Sequence, residues 1–207
     1  MKKVLVLGAS GKIAQMVTDD VHKDKDIELS LFLRTPKKLA HEYGHIITGD
    51  VMNEADLQNA MAGIDIVGPR PMAEMARNVI SAMNSANVHR LIWVASAGIY
   101  HEVEFNGKGA EELGDPDDPK TYLGDEKKAA DLIETSGLDY TIIRPNWLTN
   151  DDATEHLLTT RRNEQMTGKS VSRKTVAKFI ADLLKHPDED VNESVGLSTD
   201  PSNDKDY

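Results

Sequence analysis

The sequence predicts an α/β protein built on a doubly wound parallel sheet, as a single domain. Short apolar runs alternate with longer segments of helical period, the pattern of successive βαβ units. Those runs show no clean alternation of polar and apolar residues, as expected of strands covered by helices on both faces. A length of 207 residues fits one such domain, because single cores grow to roughly 250 residues before chains split.

The strand candidates, in chain order, are Val4 to Leu7, Leu29 to Leu33, Ile46-Ile47, Ile64 to Val67, Leu91 to Ala95 and Tyr140 to Ile143, with Val195 to Leu197 as a last strand. After the first strand, Ile13, Val17 and Val21 lie on one helical face. Met72, Met75, Ala76, Val79, Ile80 and Met83 form a second stripe, whose spacing packing against a sheet explains without any ligand. Val176, Phe179, Ile180 and Leu183 form a third, with Ser172 as N-cap and His186-Pro187 as stop. Residues 102–118, rich in Gly, Asp and Glu, read as a long loop, either a functional lid or a solvated acidic segment.

Charge and composition remove several function classes. The formal net charge of −11 repels phosphate backbones and anionic headgroups, so neither nucleic acid nor a membrane surface is an expected partner. With no cysteine, disulfides, thiolate nucleophiles and Cys-ligated zinc are excluded. Lys2-Lys3 before Val4 to Leu7 resembles the start of a signal peptide, but the apolar run ends at Gly8, short of the ~7–15 residues such a segment needs. A cytoplasmic location is the simplest expectation.

The chemistry-bearing motif lies at the end of the first strand. Gly8, Gly11 and Ala14 have the spacing G-x-x-G-x-x-A between a strand and a helix. Gly8 allows the sharp exit, Gly11 lets backbone approach a pyrophosphate, and Ala14 lets helix and strand pack closely. The helix start then offers unpaired N–H groups and a positive dipole end, with Ser10, Lys12 and Ile13 lining the turn. This predicts a Rossmann-type dinucleotide site. The second strand ends at Arg34, where NAD-selective sites carry an acid, so a 2′-phosphate and NADP(H) are favoured over NAD(H). Thr35, Lys37 and Lys38 are placed to assist. Asp50, with Val51 beside it, ends the third strand where adenine would rest; its structural alternative is an N-cap or Asx turn.

With these residues, the chain resembles the atypical short-chain dehydrogenase/reductases, in particular their small NmrA-like NAD(P)H-binding group. The resemblance is carried by Gly8 to Ala14, Arg34, Gly49-Asp50-Val51, Val94 to Tyr100 and Ser136 to Pro145. It implies an NAD(P)-binding domain over residues 1–207, with a substrate-side segment at about 146–172 and a frayed tail at 200–207. It also implies that the loop after Ser96 and the segment from Pro145 to Leu148 flank the nicotinamide. Active reductases of the wider family use Ser, Tyr and Lys, with Tyr and Lys four apart, so that the ammonium lowers the phenol pKa. Here Tyr122 is followed at i+4 by Glu126, and Lys127 lies at i+5, rotated by roughly a further 100°. An ionised Glu126 would raise the phenol pKa, the wrong direction for an acid. Ser96 remains as a hydrogen-bonding group for substrate or nicotinamide. Tyr100 is either a substitute acid or a packing aromatic. A further departure is Gly68-Pro69-Arg70-Pro71, stiffened by two prolines, with Arg70 either at the pyrophosphate or in solvent.

His41-Glu42-Tyr43-Gly44-His45 matches H-E-x-x-H, which on a helix aims two imidazoles at zinc. The match needs an unbroken helix, whereas Gly44 reads as a helix C-cap and Ile46-Ile47 begins a strand, so no metal site is expected. The reading is therefore an NADP(H)-dependent oxidoreductase passing hydride to a small acceptor such as a flavin, quinone or carbonyl, acting as a monomer or homodimer. Its alternative is a non-catalytic dinucleotide sensor.

Overall fold

The computed structural model describes residues 1–64, 66–68, 73–105, 110–152 and 156–200. Strands β1 (Lys2–Leu7), β2 (Ile27–Leu33), β3 (His45–Thr48), β4 (Ile66–Gly68), β5 (Arg90–Val94), β6 (Asp139–Pro145) and β10 (Glu193–Thr199) run parallel in one sheet. The antiparallel strand β8 (Leu157–Thr160) closes its edge, and the order is β3-β2-β1-β4-β5-β6-β10-β8. The chain builds outward from β1 to β3 and then crosses back to β4 on the other side of β1. Strand order therefore reverses beside β1, which places a crevice beyond the carboxyl ends of β1 and β4.

Helices cover both faces. Helices α1 (Lys12–Val21) and α6 (Arg173–Lys185) pack together on one side, where Val17, Val21, Val176, Ile180 and Leu184 meet Val4, Val6, Leu29 and Leu31. Helices α2 (Glu54–Ala60), α3 (Ala73–Ala86) and α5 (Tyr122–Glu134) cover the other, where Leu57, Val79, Met83, Ala130 and Ile133 meet Leu5, Leu7, Leu91 and Trp93. Double coverage explains why the strands read as continuous apolar runs. Ser172 caps α6 by accepting from the Thr175 N–H, and the helix stops at His186, as its sequence predicts.

Several expectations change. Residues 41–44 form no helix, so Gly44 is not a helix cap; its φ of 151° lets the chain pass where a Cβ would collide with the Leu29 carbonyl. Tyr43 stacks on His22 and His41, and His45 is already in β3, so the two histidines of H-E-x-x-H share no helical face. The 102–118 segment is not simply a solvated loop: it begins at the buried Glu102 and includes a short helix, α4 (Ala110–Leu113). The polar stretch after Pro145 contains three short strands that its sequence does not announce: β7 (Trp147–Thr149), β8 and β9 (Ser170–Ser172), with β7 and β9 paired in parallel. Pro69, Arg70, Pro71 and Met72, and the tail beyond Asp200, lie outside the described residues.

Candidate functional site

The turn after β1 leaves the strand at Gly8, whose φ of 63° is costly for any residue with a side chain. The Gly11 N–H donates to the Gly8 carbonyl at 2.8 Å, closing the turn, and Gly11 becomes the N-cap of α1. The other long helices with described starts carry side-chain caps: Asn53 on α2, Thr121 on α5 and Ser172 on α6. Helix α1 has none, and no acidic residue occupies its first turn. Its amide end therefore faces the crevice with its dipole unopposed, which suits an anion. Gln15 holds the turn in place: its side-chain amide donates to the Ser10 carbonyl at 2.9 Å and accepts from the Ala40 N–H at 2.8 Å. That bridge ties the glycine turn to the segment following Arg34 and Thr35, and sequence reasoning missed it because its partners are remote in the chain.

Arg34 follows β2 and its side chain is 76% exposed; its guanidinium lies 3.9 Å from the Asp50 carboxylate. An exposed pair at this distance contributes little, about 0–1 kcal/mol, so the guanidinium is free to meet a ligand. Thr35 precedes the short 3₁₀ turn Pro36–Lys38. Asp50 makes an Asx turn, its Oδ1 accepting from the Met52 N–H at 3.0 Å, while Asn53 is the cap of α2. Val51 packs against the core on the α2–α3 side.

At the end of β5 the Ser96 hydroxyl lies 3.1 Å from the Tyr122 hydroxyl, at the first residue of α5, and Tyr122 is 48% exposed. The serine and tyrosine expected of a reductase are therefore joined. One turn further along α5, Glu126 is only 1% exposed. Burial is the main force on its carboxyl, pushing the pKa up to about 8; the Tyr122 hydroxyl acts in the opposite, smaller sense, and Asp125 adds to the rise. Neither Glu126 oxygen has a hydrogen bond of regular geometry among the described residues. Lys127 faces elsewhere, pairing with Asp131 at 3.0 Å.

Tyr100 is engaged away from the Ser96–Tyr122 pair. Its hydroxyl donates to Glu134 at 2.7 Å, and Glu134 is the last residue of α5. That is about 18 Å along the helix from Tyr122 at a rise of 1.5 Å per residue. Arg144 and Arg162 lie over its ring, and burial together with Glu134 pushes its pKa upward. Arg144, fully buried, ion-pairs with Glu102 and donates from Nε to Ser194 at 2.9 Å. Glu102 also accepts from the Tyr100 N–H at 2.9 Å, and its carbonyl accepts from the Met166 N–H at 2.9 Å. The pair thus anchors the loop that leaves Ser96 to β6 and to the segment before β9.

The Pro145 carbonyl accepts from the Ala97 N–H at 3.1 Å, which sets the 145–148 segment beside Ser96. Asn146, buried, donates to the Gly168 carbonyl at 2.6 Å and accepts from the Trp147 N–H at 2.8 Å. Trp147 is 44% exposed and meets the Phe105 ring edge-on at 5.5 Å, so it is not a core residue.

A bare helix start at the switch point of a parallel sheet, with a glycine turn feeding it, is the construction of a Rossmann-type dinucleotide-binding protein. The chain belongs to the NAD(P)H-binding family, whose sequence profile matches residues 8–187. A Rossmann-fold NAD(P)-binding family protein from Shigella flexneri is 38% identical, with all of this chain and 98% of that one covered and a TM-score of 0.83. A short-chain dehydrogenase/reductase from Veillonella parvula, solved in complex with NADP, is 27% identical over 95% of this chain and 94% of that one, with a TM-score of 0.80. The UPF0659 protein YMR090W of Saccharomyces cerevisiae is 24% identical, covering 94% of this chain and 92% of the relative. These likenesses agree with the short-chain dehydrogenase/reductase resemblance, and the fold is oxidoreductase-like. No described helix is long and apolar enough to cross a membrane.

Proposed function

We propose that this protein is an NADP(H)-dependent reductase of the atypical short-chain type, in which a bound nicotinamide supplies hydride to a small acceptor, a carbonyl, quinone or flavin. The observation that carries the reading is the Ser96–Tyr122 contact of 3.1 Å at the carboxyl end of β5. A hydroxyl pair there can hold an acceptor oxygen, with Ser96 orienting it and Tyr122 giving it a proton as negative charge develops. The amides of Lys12 and Ile13 at the uncapped start of α1 would hold the pyrophosphate, with Ser10 in the turn. Arg34 would meet the 2′-phosphate, which favours NADP(H), while Thr35, Asp50 and Val51 line the adenine side. Pro145 and Trp147 would border the nicotinamide and acceptor.

The second reading, a dinucleotide sensor without turnover, draws on Glu126 standing where the family's active reductases have lysine. NADPH consumption with a panel of aldehydes, quinones and flavins separates the two. Turnover that falls on Tyr122→Phe supports the reductase; tight NADPH binding with no acceptor consumed would support the sensor.

A further inference from the structure

Among the buried groups that the proposed chemistry does not use, Glu126 stands apart. Both its carboxyl oxygens are buried, and among the described residues the Tyr122 hydroxyl is the one hydrogen-bonding group that acts on the carboxyl, an arrangement that is expensive for an ionised group. It shares a helical face with Tyr122, four residues earlier, and Tyr122 in turn touches Ser96. From this geometry we infer that Glu126 works as a neutral carboxylic acid behind Tyr122, replacing the phenol's proton as that proton passes to the acceptor. The inference rests on the reductase reading. Glu126 is a positioning residue, since it acts only through Tyr122.

The acceptor gains hydride from the reduced nicotinamide, which is oxidised, and gains a proton from Tyr122 Oη. The Glu126 carboxyl then gives its proton to Tyr122 Oη, so the negative charge comes to rest on a carboxylate and not on a phenolate. Tyr122 is half exposed, and water returns a proton to Glu126 through it. The direction is favourable because a carboxyl, even one raised by burial, is a stronger acid than a phenol. The charges acting on Glu126 are those of its own helix, chiefly Asp125. The elements packed on α5 carry Glu74 and Arg77 on α3, Glu111 and Glu112 on α4, and Asp139, Tyr140 and Arg144 on β6, and of the charged neighbours it is Asp125 on its own helix that acts on the carboxyl. An ammonium at this position would assist by attraction, whereas a neutral acid assists by donation. The replacement changes the device without removing it.

Three measurements on wild type and Glu126→Gln test this, with Glu126→Met as a second variant should the first misfold. The wild-type infrared spectrum at pH 7 should contain a protonated-carboxyl band that is missing from the variants and fades as pH passes about 8; its absence at pH 7 would overturn the inference. The phenolate titration of Tyr122, isolated by difference from Tyr122→Phe, should move to lower pH in the variants, because a carboxylate no longer faces the phenol; an unmoved midpoint would overturn it as well. With an aldehyde and NADPH, wild-type kcat should fall above about pH 8. Glu126→Gln should lack that limb and lose about 10- to 100-fold in kcat at pH 7, and a variant that keeps both limb and rate would refute the role. If wild type consumes no acceptor at all, the reductase reading fails, and the two spectroscopic measurements still decide whether Glu126 is neutral and coupled to Tyr122.

Discussion

Ser96 Oγ and Tyr122 Oη lie 3.1 Å apart although 26 residues separate them in the chain. The contact exists because β5 delivers one residue to the carboxyl edge of the sheet and α5 starts above that edge with the other. Tyr122→Phe should lower kcat for an aldehyde by about 10²-fold or more, with KM little changed, whereas a quinone, which needs less acid assistance, should suffer less. Ser96→Ala should raise KM and lower kcat together. Steady-state NADPH oxidation with both acceptors checks the difference, and equal losses on both would argue against an acid role for Tyr122.

Arg34 decides the cofactor in our reading. Arg34→Ala should weaken NADPH binding by about 10-fold or more, corresponding to roughly 1.5–3 kcal/mol for a charge-assisted contact, and leave NADH nearly unchanged. Fluorescence or calorimetric titration with both nucleotides measures it, and equal effects would remove the argument for NADP(H). The nearby Asp50 carboxylate makes a corollary: Asp50→Asn should favour NADPH modestly, because it takes a negative charge away from the 2′-phosphate side.

Gly11→Val should abolish binding of either nucleotide while leaving a folded chain. A Cβ at Gly11 would stand 3.3 Å from the Gly8 carbonyl, a contact the turn can absorb by a few tenths of an ångström, and Gly11 has an ordinary extended backbone. The added branches would instead fill the space in front of the α1 amides. Circular dichroism should be that of wild type, and retained NADPH affinity would refute the phosphate-turn assignment.

The Glu102–Arg144 pair is buried on both sides, so each partner depends on the other. Arg144→Met alone should destabilise the fold by about 3–5 kcal/mol, because it leaves Glu102 buried and uncompensated. The double variant Glu102→Gln/Arg144→Met should cost clearly less than the sum of the single changes. Urea unfolding of all four proteins closes the cycle, and additivity within about 0.5 kcal/mol would show that the two residues do not act as a unit.

What the sequence determined by itself is what short-range physics encodes. The strand runs, the helical stripes of α1, α3 and α6, the Gly8-to-Gly11 turn and the end of β2 just before Arg34 depend on neighbours within a few residues, and among the described residues these appear where the sequence predicts them. Tertiary structure alone decided the rest of the site. On paper Glu126 counts against Tyr122 and leaves Tyr100 as a substitute acid or a packing aromatic, whereas packing sends Tyr100 to Glu134 and Tyr122 to Ser96. The strands β7, β8 and β9 are too short for their own pattern and exist through partners supplied by distant segments. Glu126 reads in sequence as a misplaced negative charge. Only the fold, by burying it behind Tyr122, sets the cost of ionisation high enough to keep its proton near neutral pH.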